Sequence, residues 1–433
     1  MRHRFRATLL AAMLALTTVA ASAQPAADAP ASVPSATTFR YPAELPPETA
    51  VHEALARLPE LQAARAGLDH SAAERRRLQS GPYEWSLRGE TARRRTHGEG
   101  HSQDYEIAVE RPLRWFGKAA KDEELGQQTV TLAQAAHADA WHEASRALLA
   151  AWFELLREQH AALRTTGQVE LNQQLLDRVE RRVRAGESPR MELLLAQTEH
   201  ERLIAARQQA EQRAALARIA LQQTYPGLPL PDAAPDAPLP ELADDGAGAA
   251  DWAARILADN HELQQAQAQT REKQLQAERS ALDRAPDPTL SLRYTSERDS
   301  GERMLGVGVS IPLPGPARGA AHAGALAQVE QARQQELRAR AKVEREARQL
   351  VTQAEAARKN AAIQARIRQQ AQSNAALVAK AYALGESAFA DTLLATRQAL
   401  EAAQAAETAQ LDALELHARL LLDAHLIWAL EHE

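Results

Sequence analysis

The chain has 433 residues; 45% are hydrophobic and 25% charged, but only 4% are aromatic and none is cysteine. Alanine, leucine, glutamate, glutamine and arginine dominate, all strong helix formers, so the composition points to long helices packed closely side by side rather than to a large core built on aromatic side chains. The lack of cysteine excludes a disulfide scaffold, a thiolate metal site, a thiol nucleophile and a lipidated N-terminal cysteine, and a formal charge of −6 gives no reason to expect a nucleic-acid surface.

Arg2, Arg4 and Arg6 precede an apolar run from Ala7 to Ala20, and Ala21-Ser22-Ala23 follows as a small-x-small cleavage pattern. Residues 1–23 are therefore expected to be a secretory signal peptide, whose removal takes three arginines and moves the charge from −6 to −9. No later segment approaches 18 uninterrupted apolar residues, so no transmembrane helix is expected. Residues 24–47, rich in Pro, Ala and Ser, are expected to be extended or disordered.

A first unit is expected over 48–224. It opens with a helix near Glu48–Ser80 that ends before Gly81-Pro82. The period then changes from 3.6 to 2. Tyr83, Trp85, Leu87 and Gly89 alternate with Glu84, Ser86, Arg88 and Glu90; after the polar loop His97-Gly98-Glu99-Gly100-His101, Tyr105, Ile107 and Val109 alternate with Glu106, Ala108 and Glu110. This predicts a β-hairpin over 82–113 with one oily and one polar face. Gly117 to Ala185 holds no proline, and a helix of that length reaches roughly 100 Å. A returning helix, Pro189–Gln223, follows a reversal at Gly186.

Six prolines between Tyr225 and Ala250 rule out helix there and mark 225–250 as a connector. The second unit, 251–430, repeats the first. A helix over Ala249–Asp283 leads to Pro286-Asp287-Pro288 and a β-hairpin over 287–313, with Leu290, Leu292 and Tyr294 and then Leu305, Val307, Val309 and Ile311 on its oily face. A second proline-free stretch, Arg318–Leu384, reverses at Gly385 into a helix over Ala388–Leu430. Val169, Leu176 and Val183, and likewise Val329, Val343 and Leu350, fall on multiples of seven, the spacing of a coiled-coil seam.

The duplication is explicit. Ala185-Gly186-Glu187-Ser188 with Leu194-Leu195-Ala196 recurs as Leu384-Gly385-Glu386-Ser387 with Leu393-Leu394-Ala395 at an offset of 199, and Val109 with Pro112-Leu113 recurs as Val309 with Pro312-Leu313 at an offset of 200. Strictly alternating strands of about ten residues have the length of outer-membrane barrel strands. Four per chain cannot close a barrel, because the smallest barrels have eight, and an open edge in lipid leaves backbone groups unsatisfied at several kcal/mol each. Three copies would supply twelve strands, and the same axis would arrange six helical hairpins as a hollow cylinder.

In this order and spacing, the repeat, the junctions Arg111-Pro112-Leu113-Arg114-Trp115-Phe116-Gly117-Lys118 and Ile311-Pro312-Leu313-Pro314-Gly315, and the two Gly-Glu-Ser tips resemble the TolC-type outer membrane efflux factors over about Glu48–Leu430. The resemblance implies a mainly α fold with a membrane β-barrel contribution: long antiparallel helical hairpins plus two β-hairpins per chain, forming a twelve-stranded barrel and an α-barrel in a homotrimer. It also implies an outer-membrane location reaching into the periplasm, and service as the exit duct of a tripartite pump with a periplasmic adaptor and an inner-membrane transporter of the RND type. Gly117-Lys118 resembles the heavy-metal branch (cobalt–zinc–cadmium and copper–silver). By the same resemblance Gly186, Glu187, Ser188, Gly385, Glu386 and Ser387 form the adaptor-docking tips. Asp391, with Glu192 as its counterpart, takes the place of an aspartate ring at the periplasmic entrance. Where such a ring has a second aspartate a turn later, this chain has Leu394.

No metal site is expected. His97 and His101 flank a loop, His137 and His142 do not share a helix face, and zinc needs three or four convergent ligands. No GxSxG, phosphate loop or HExxH occurs, so neither an enzyme nor a cofactor is expected. The alternatives are a periplasmic adaptor, which would carry one helical hairpin flanked by Gly/Val-rich β-domains, and a structural periplasmic coiled coil.

Overall fold

A computed structural model describes residues 41–98, 100–231 and 249–430. The expected signal peptide (1–23), most of the expected extended segment (24–40), most of the connector (232–248) and Glu99 lie outside the described residues.

Each unit opens with two helices where one was expected. In the first, α1 (Glu48–Ala56) stops and α2 (Pro59–Ser80) starts afresh: Pro59 brings no amide to the preceding turn, and Leu58 before it is extended. In the second, α5 (Ala249–Ala258) gives way to α6 (His261–Leu282), whose N-cap Asn260 accepts a 2.9 Å bond from the Leu263 amide.

Both β-hairpins form, as β1 (Ser86–Thr96) with β2 (Gly100–Pro112) and β3 (Thr289–Glu297) with β4 (Glu302–Ser310). They then join, because β2 pairs antiparallel with β3 and Ile107 lies opposite Tyr294. The result is one four-stranded sheet in the order β1-β2-β3-β4, with β1 and β4 as open edges.

The long helices are α3 (Lys118–Arg184; 67 residues) and α7 (Pro316–Ala383; 68 residues), returning as α4 (Arg190–Thr224) and α8 (Phe389–Asp423). At 1.5 Å per residue each long helix spans roughly 100 Å. Near the sheet α3 lies between α2 and α6, and α6 lies against α7; toward the tips α3 lies between α4 and α8, and α8 lies against α7. The helices thus make a wall four helices wide, each unit contributing two neighbours.

Arginines spaced along α3 bind carboxylates on α8 in antiparallel register: Arg146 to Asp423 at 2.8 Å, Arg157 to Asp412 at 3.1 Å and to Glu415, and Arg164 to Glu407. The few large side chains gather where the two units meet. Trp141, Leu148, Trp152 and Phe153 of α3, Leu414 and Leu420 of α8 and Trp428 just beyond it are all buried. The indole of Trp141 donates to the Trp428 carbonyl at 2.9 Å, and that of Trp152 to the Glu44 carbonyl at 2.9 Å. With so few aromatics to spend, the chain places three of its six tryptophans in this one waist. Elsewhere small residues let the helices approach closely; buried Ala361 meets Ala409 and Ala413.

Candidate functional site: an apolar sheet face, its junction and two helical tips

The registers place the alternating residues of all four strands in common rows. Leu87, Val109, Leu292 and Val307 form one row; Gly89, Ile107, Tyr294 and Leu305 form the next. This face is bare. Leu87 is 76% exposed, Leu305 73% and Val307 74%, and the strands pack against one another rather than along any helix. Along β4 and its continuation, exposed Leu305, Val307, Val309, Ile311 and Leu313 make a run of about 27 Å before tilt, the scale of the apolar band of membrane barrels. Aromatics flank it: Trp85, Trp115 and Phe116 toward the helices, Tyr105 and Tyr294 toward the loops, all exposed.

The opposite face is polar and carries cross-strand ion pairs. Arg94 reaches Asp104 at 2.9 Å and Glu297 at 2.7 Å, and Arg293 reaches Glu106 at 3.2 Å. A sheet with its apolar side exposed and its ion pairs on the other side inverts the pattern of a soluble protein. Among the described residues no helix is long and apolar enough to cross a membrane.

Sheet and helices are joined by a knot of charges. Lys118, at the start of α3, is 1% exposed; its ammonium lies 2.9 Å from Asp287 and 3.1 Å from Asp283 and donates to the Ala285 carbonyl at 2.9 Å. Asp287 also accepts from the Trp115 amide at 2.8 Å and the Tyr83 hydroxyl at 2.9 Å. Burial opposes ionisation of Asp287, but the bonds from Lys118, Trp115 and Tyr83 outweigh it and hold the carboxyl below its usual range. Burial, followed by the bond to that carboxylate, pushes Tyr83 up to about 12. Asp122 completes the knot, with Arg279 at 2.5 Å and Arg114 at 3.4 Å. Every one of these links crosses between a first-unit and a second-unit residue except that of Arg114 to Asp122. The sequence motif ending in Lys118 marked the place; its partners, more than 160 residues away, had no local signal.

At the far end both tips are Schellman turns. Gly186 (φ 75°) and Gly385 (φ 80°) occupy the left-handed position; the Glu187 amide returns to the Arg182 carbonyl at 2.9 Å and the Glu386 amide to the Ala381 carbonyl at 2.9 Å. Glu187 and Glu386 are exposed, Ser188 and Ser387 half-buried, and the Ser387 hydroxyl donates to the Val378 carbonyl at 3.4 Å. The structure brings the two tips together over a shared core of Leu176, Val179, Ala196, Phe389 and Leu393. The Tyr382 hydroxyl donates to Glu192 at 3.0 Å, the Arg182 guanidinium lies 4.7 Å over the Tyr382 ring, and Arg397 holds buried Glu199 at 3.0 Å. Asp391 is exposed and accepts from the Ala388 amide at 3.3 Å, tying down the first turn of α8. Glu192 and Asp391, equivalent in sequence, therefore differ in setting: one is bound between the hairpins, the other faces solvent.

The histidines are less scattered than the sequence suggests. His142 on α3, His261 at the start of α6 and His425 beyond α8 have ring centroids 4.6–6.0 Å apart, and His142 lies 3.2 Å from buried Asp423. Among the described residues no group of histidines and carboxylates is placed to hold a metal ion.

No protein-family model and no curated protein matches the chain. Solved structures do. CusC, described for conformational changes accompanying folding and transmembrane channel formation, matches with a TM-score of 0.73 and 15% identity over 87% of this chain and 91% of CusC. The outer membrane protein VceC of Vibrio cholerae matches with a TM-score of 0.71 and 18% identity over 87% of this chain and 95% of VceC. The MtrE outer membrane channel of Neisseria gonorrhoeae, in its open state, matches with a TM-score of 0.70 and 17% identity over 87% of this chain and 88% of MtrE. The four-stranded sheet on paired long helical hairpins is thus a fold this chain shares with these proteins.

Proposed function

We propose that this chain is the outer membrane exit duct of a tripartite efflux system, a homotrimer with a twelve-stranded barrel continued by a helical cylinder into the periplasm. The observation that carries the reading is the bare apolar face shared by all four strands, bounded by two open edges. Strand directions alternate across β1-β2-β3-β4, so β4 of one copy meets β1 of the next antiparallel, as every other pair in the sheet does. A ring of three copies gives an even number of strands and removes every edge. The helical wall has matching free sides, with exposed Leu194, Leu216 and Ile219 on α4 and exposed Leu337, Ile363 and Leu377 on α7. Two helical hairpins per chain speak against a periplasmic adaptor, and the bare sheet face against a purely structural coiled coil.

The Gly186-Glu187-Ser188 and Gly385-Glu386-Ser387 tips are the docking end for a periplasmic adaptor, which would couple the duct to an inner-membrane transporter. The support is their position as paired reversals at the end farthest from the sheet. Three copies of exposed Asp391 would form an acidic entrance ring. Asp391→Asn should lower the cation preference measured from reversal potentials in planar bilayers, and Glu192→Gln should change it less. The resemblance of Gly117-Lys118 favours heavy-metal cations as cargo.

The duct reading is tested by purifying the chain from outer-membrane fractions. A heat-resistant trimer with single-channel conductance supports it; a soluble monomer without conductance refutes it. The cargo is tested by exposing a deletion strain to Zn, Co, Cd, Cu and Ag salts beside hydrophobic drugs.

A further inference from the structure

The outer end of the sheet's apolar face carries cations without counter-charges. Strand alternation places Arg93 and Arg95 of β1 on the same face as Leu87, with Gln103 and His101 opposite them, and places Arg303 of β4 in the row of Thr91, Tyr105 and Ser296. All three arginines are exposed. Arg303 shares the row of Tyr105, and Arg93 and Arg95 lie one and two rows beyond it on this face, on the side away from the helices. Among the described residues none of the three makes an ion pair, and the carboxylate that lies beside Gln103, that of Asp299, accepts at 2.9 Å from the Gln103 amide. The contrast with the other face is direct: Arg94, between Arg93 and Arg95, points inward and is held by two carboxylates. The chain therefore neutralises Arg94 inside and leaves Arg93, Arg95 and Arg303 without a carboxylate partner outside.

Resting on the duct reading, ring closure sharpens this contrast. Arg93 and Arg95 lie on one open edge strand and Arg303 on the other, so closure brings Arg303 of one copy beside Arg93 and Arg95 of the next at the same end of the barrel. Like charges gathered at a seam repel unless an anion lies between them. The position, immediately past an aromatic girdle and continuous with the lipid-facing band, is the depth of lipid headgroups. Guanidinium forks bind phosphate oxygens in pairs.

We infer that Arg93, Arg95 and Arg303 form, at each subunit seam, a binding site for the anionic phosphorylated headgroup of an outer-leaflet lipid, which bridges neighbouring subunits. The lipid is then a structural ligand: it offsets the repulsion at the seam and strengthens the trimer.

The test compares the full-length trimer with its Arg93→Gln/Arg95→Gln/Arg303→Gln variant in phosphatidylcholine nanodiscs. The nanodiscs contain phosphatidylcholine alone, a minor fraction of lipid A bearing both phosphates, or the same glycolipid with its phosphates removed; inorganic phosphate in solution is a further arm. Readouts are bound glycolipid by native mass spectrometry and the temperature at which the trimer dissociates in detergent. Phosphorylated lipid A should bind the parent trimer and raise its dissociation temperature; the dephosphorylated lipid and soluble phosphate should not, and the variant should bind about tenfold or more weakly. Arg94→Gln, on the inner face, should respond like the parent. Equal binding by parent and variant, equal effects of the two glycolipids, or an equal effect of free phosphate would overturn the inference. Conductance in phosphatidylcholine alone separates the two readings: a parent that conducts but ignores the lipid refutes only this site, whereas one that neither trimerises nor conducts refutes the duct.

Discussion

Lys118 shows what one side chain does in this fold. A buried ammonium is costly unless paired, and here it meets two aspartates of the other unit, so the first long helix cannot leave the sheet without exposing the mismatch. Lys118→Met should destabilise the chain by about 2 kcal/mol, less than for a fully buried pair because Asp283 and Asp287 keep some exposure. It should register as earlier heat dissociation of the proposed trimer, with Lys118→Arg the milder change; an unchanged transition would show that the knot is not structural. Gly186 and Gly385 act through backbone alone, since a Cβ at either would meet nothing within 4 Å. Their left-handed φ should make Gly186→Ala and Gly385→Ala cost roughly 1 kcal/mol each in denaturant unfolding. Both glycines were legible because a reversal between proline-free helices demands a residue like them. The setting of Glu192 was not, because its partner Tyr382 comes from the other unit's tip.

At the scale of elements, strands, long helices and reversals follow from periodicity and proline placement, and the repeat confirms each by appearing twice. Three features escaped that kind of reading. The breaks at Pro59 and Asn260 lie inside stretches whose apolar period runs on, so periodicity joined what a missing amide and an N-cap divide. The pairing of β2 with β3 joins segments about 190 residues apart and leaves no local mark. The histidine cluster is a third case: its members come from α3, α6 and the segment after α8.

That cluster predicts a pH response. Burial and then the charges of His142 and His261 push His425 down from 6.5 to about 4. Between these values the unfolded chain binds a proton that the folded chain does not, so the contribution of His425 is intact above pH 6.5 and is lost as pH falls toward 4. With partial exposure discounted, the loss is on the order of 2 kcal/mol per chain. The groups around it act in both directions. Asp423 is held below its usual range by His142 and Arg146 against the cost of burial, and Asp259 lies beside His425. Stability of the waist, followed by protease release of the segment bearing Trp428, should fall between pH 6.5 and 4, and His425→Asn should flatten that fall. An identical pH profile in the variant would assign the effect elsewhere.

For the whole molecule, one geometric fact unites sheet and wall: both are strips with two free sides and an apolar surface left uncovered. A soluble monomer does not expose such a band at this scale, and lipid does not tolerate its open edges. Lipid on the face and neighbouring copies on the edges satisfy both demands together. This was largely visible in the sequence, since strict alternation over four strands cannot be buried by helices as poor in bulky side chains as these. The arrangement of outward and inward arginines needed the register. The central claim is that β4 of one subunit pairs with β1 of the next, and the absence of native cysteine makes it directly measurable. Single cysteines along Ser86–Thr96 combined with single cysteines along Glu302–Ser310 should, on mild oxidation in outer membranes, yield covalent dimers and trimers at matched positions two residues apart, on alternate register. Monomers alone at every combination, or cross-links only within one chain, would contradict the account.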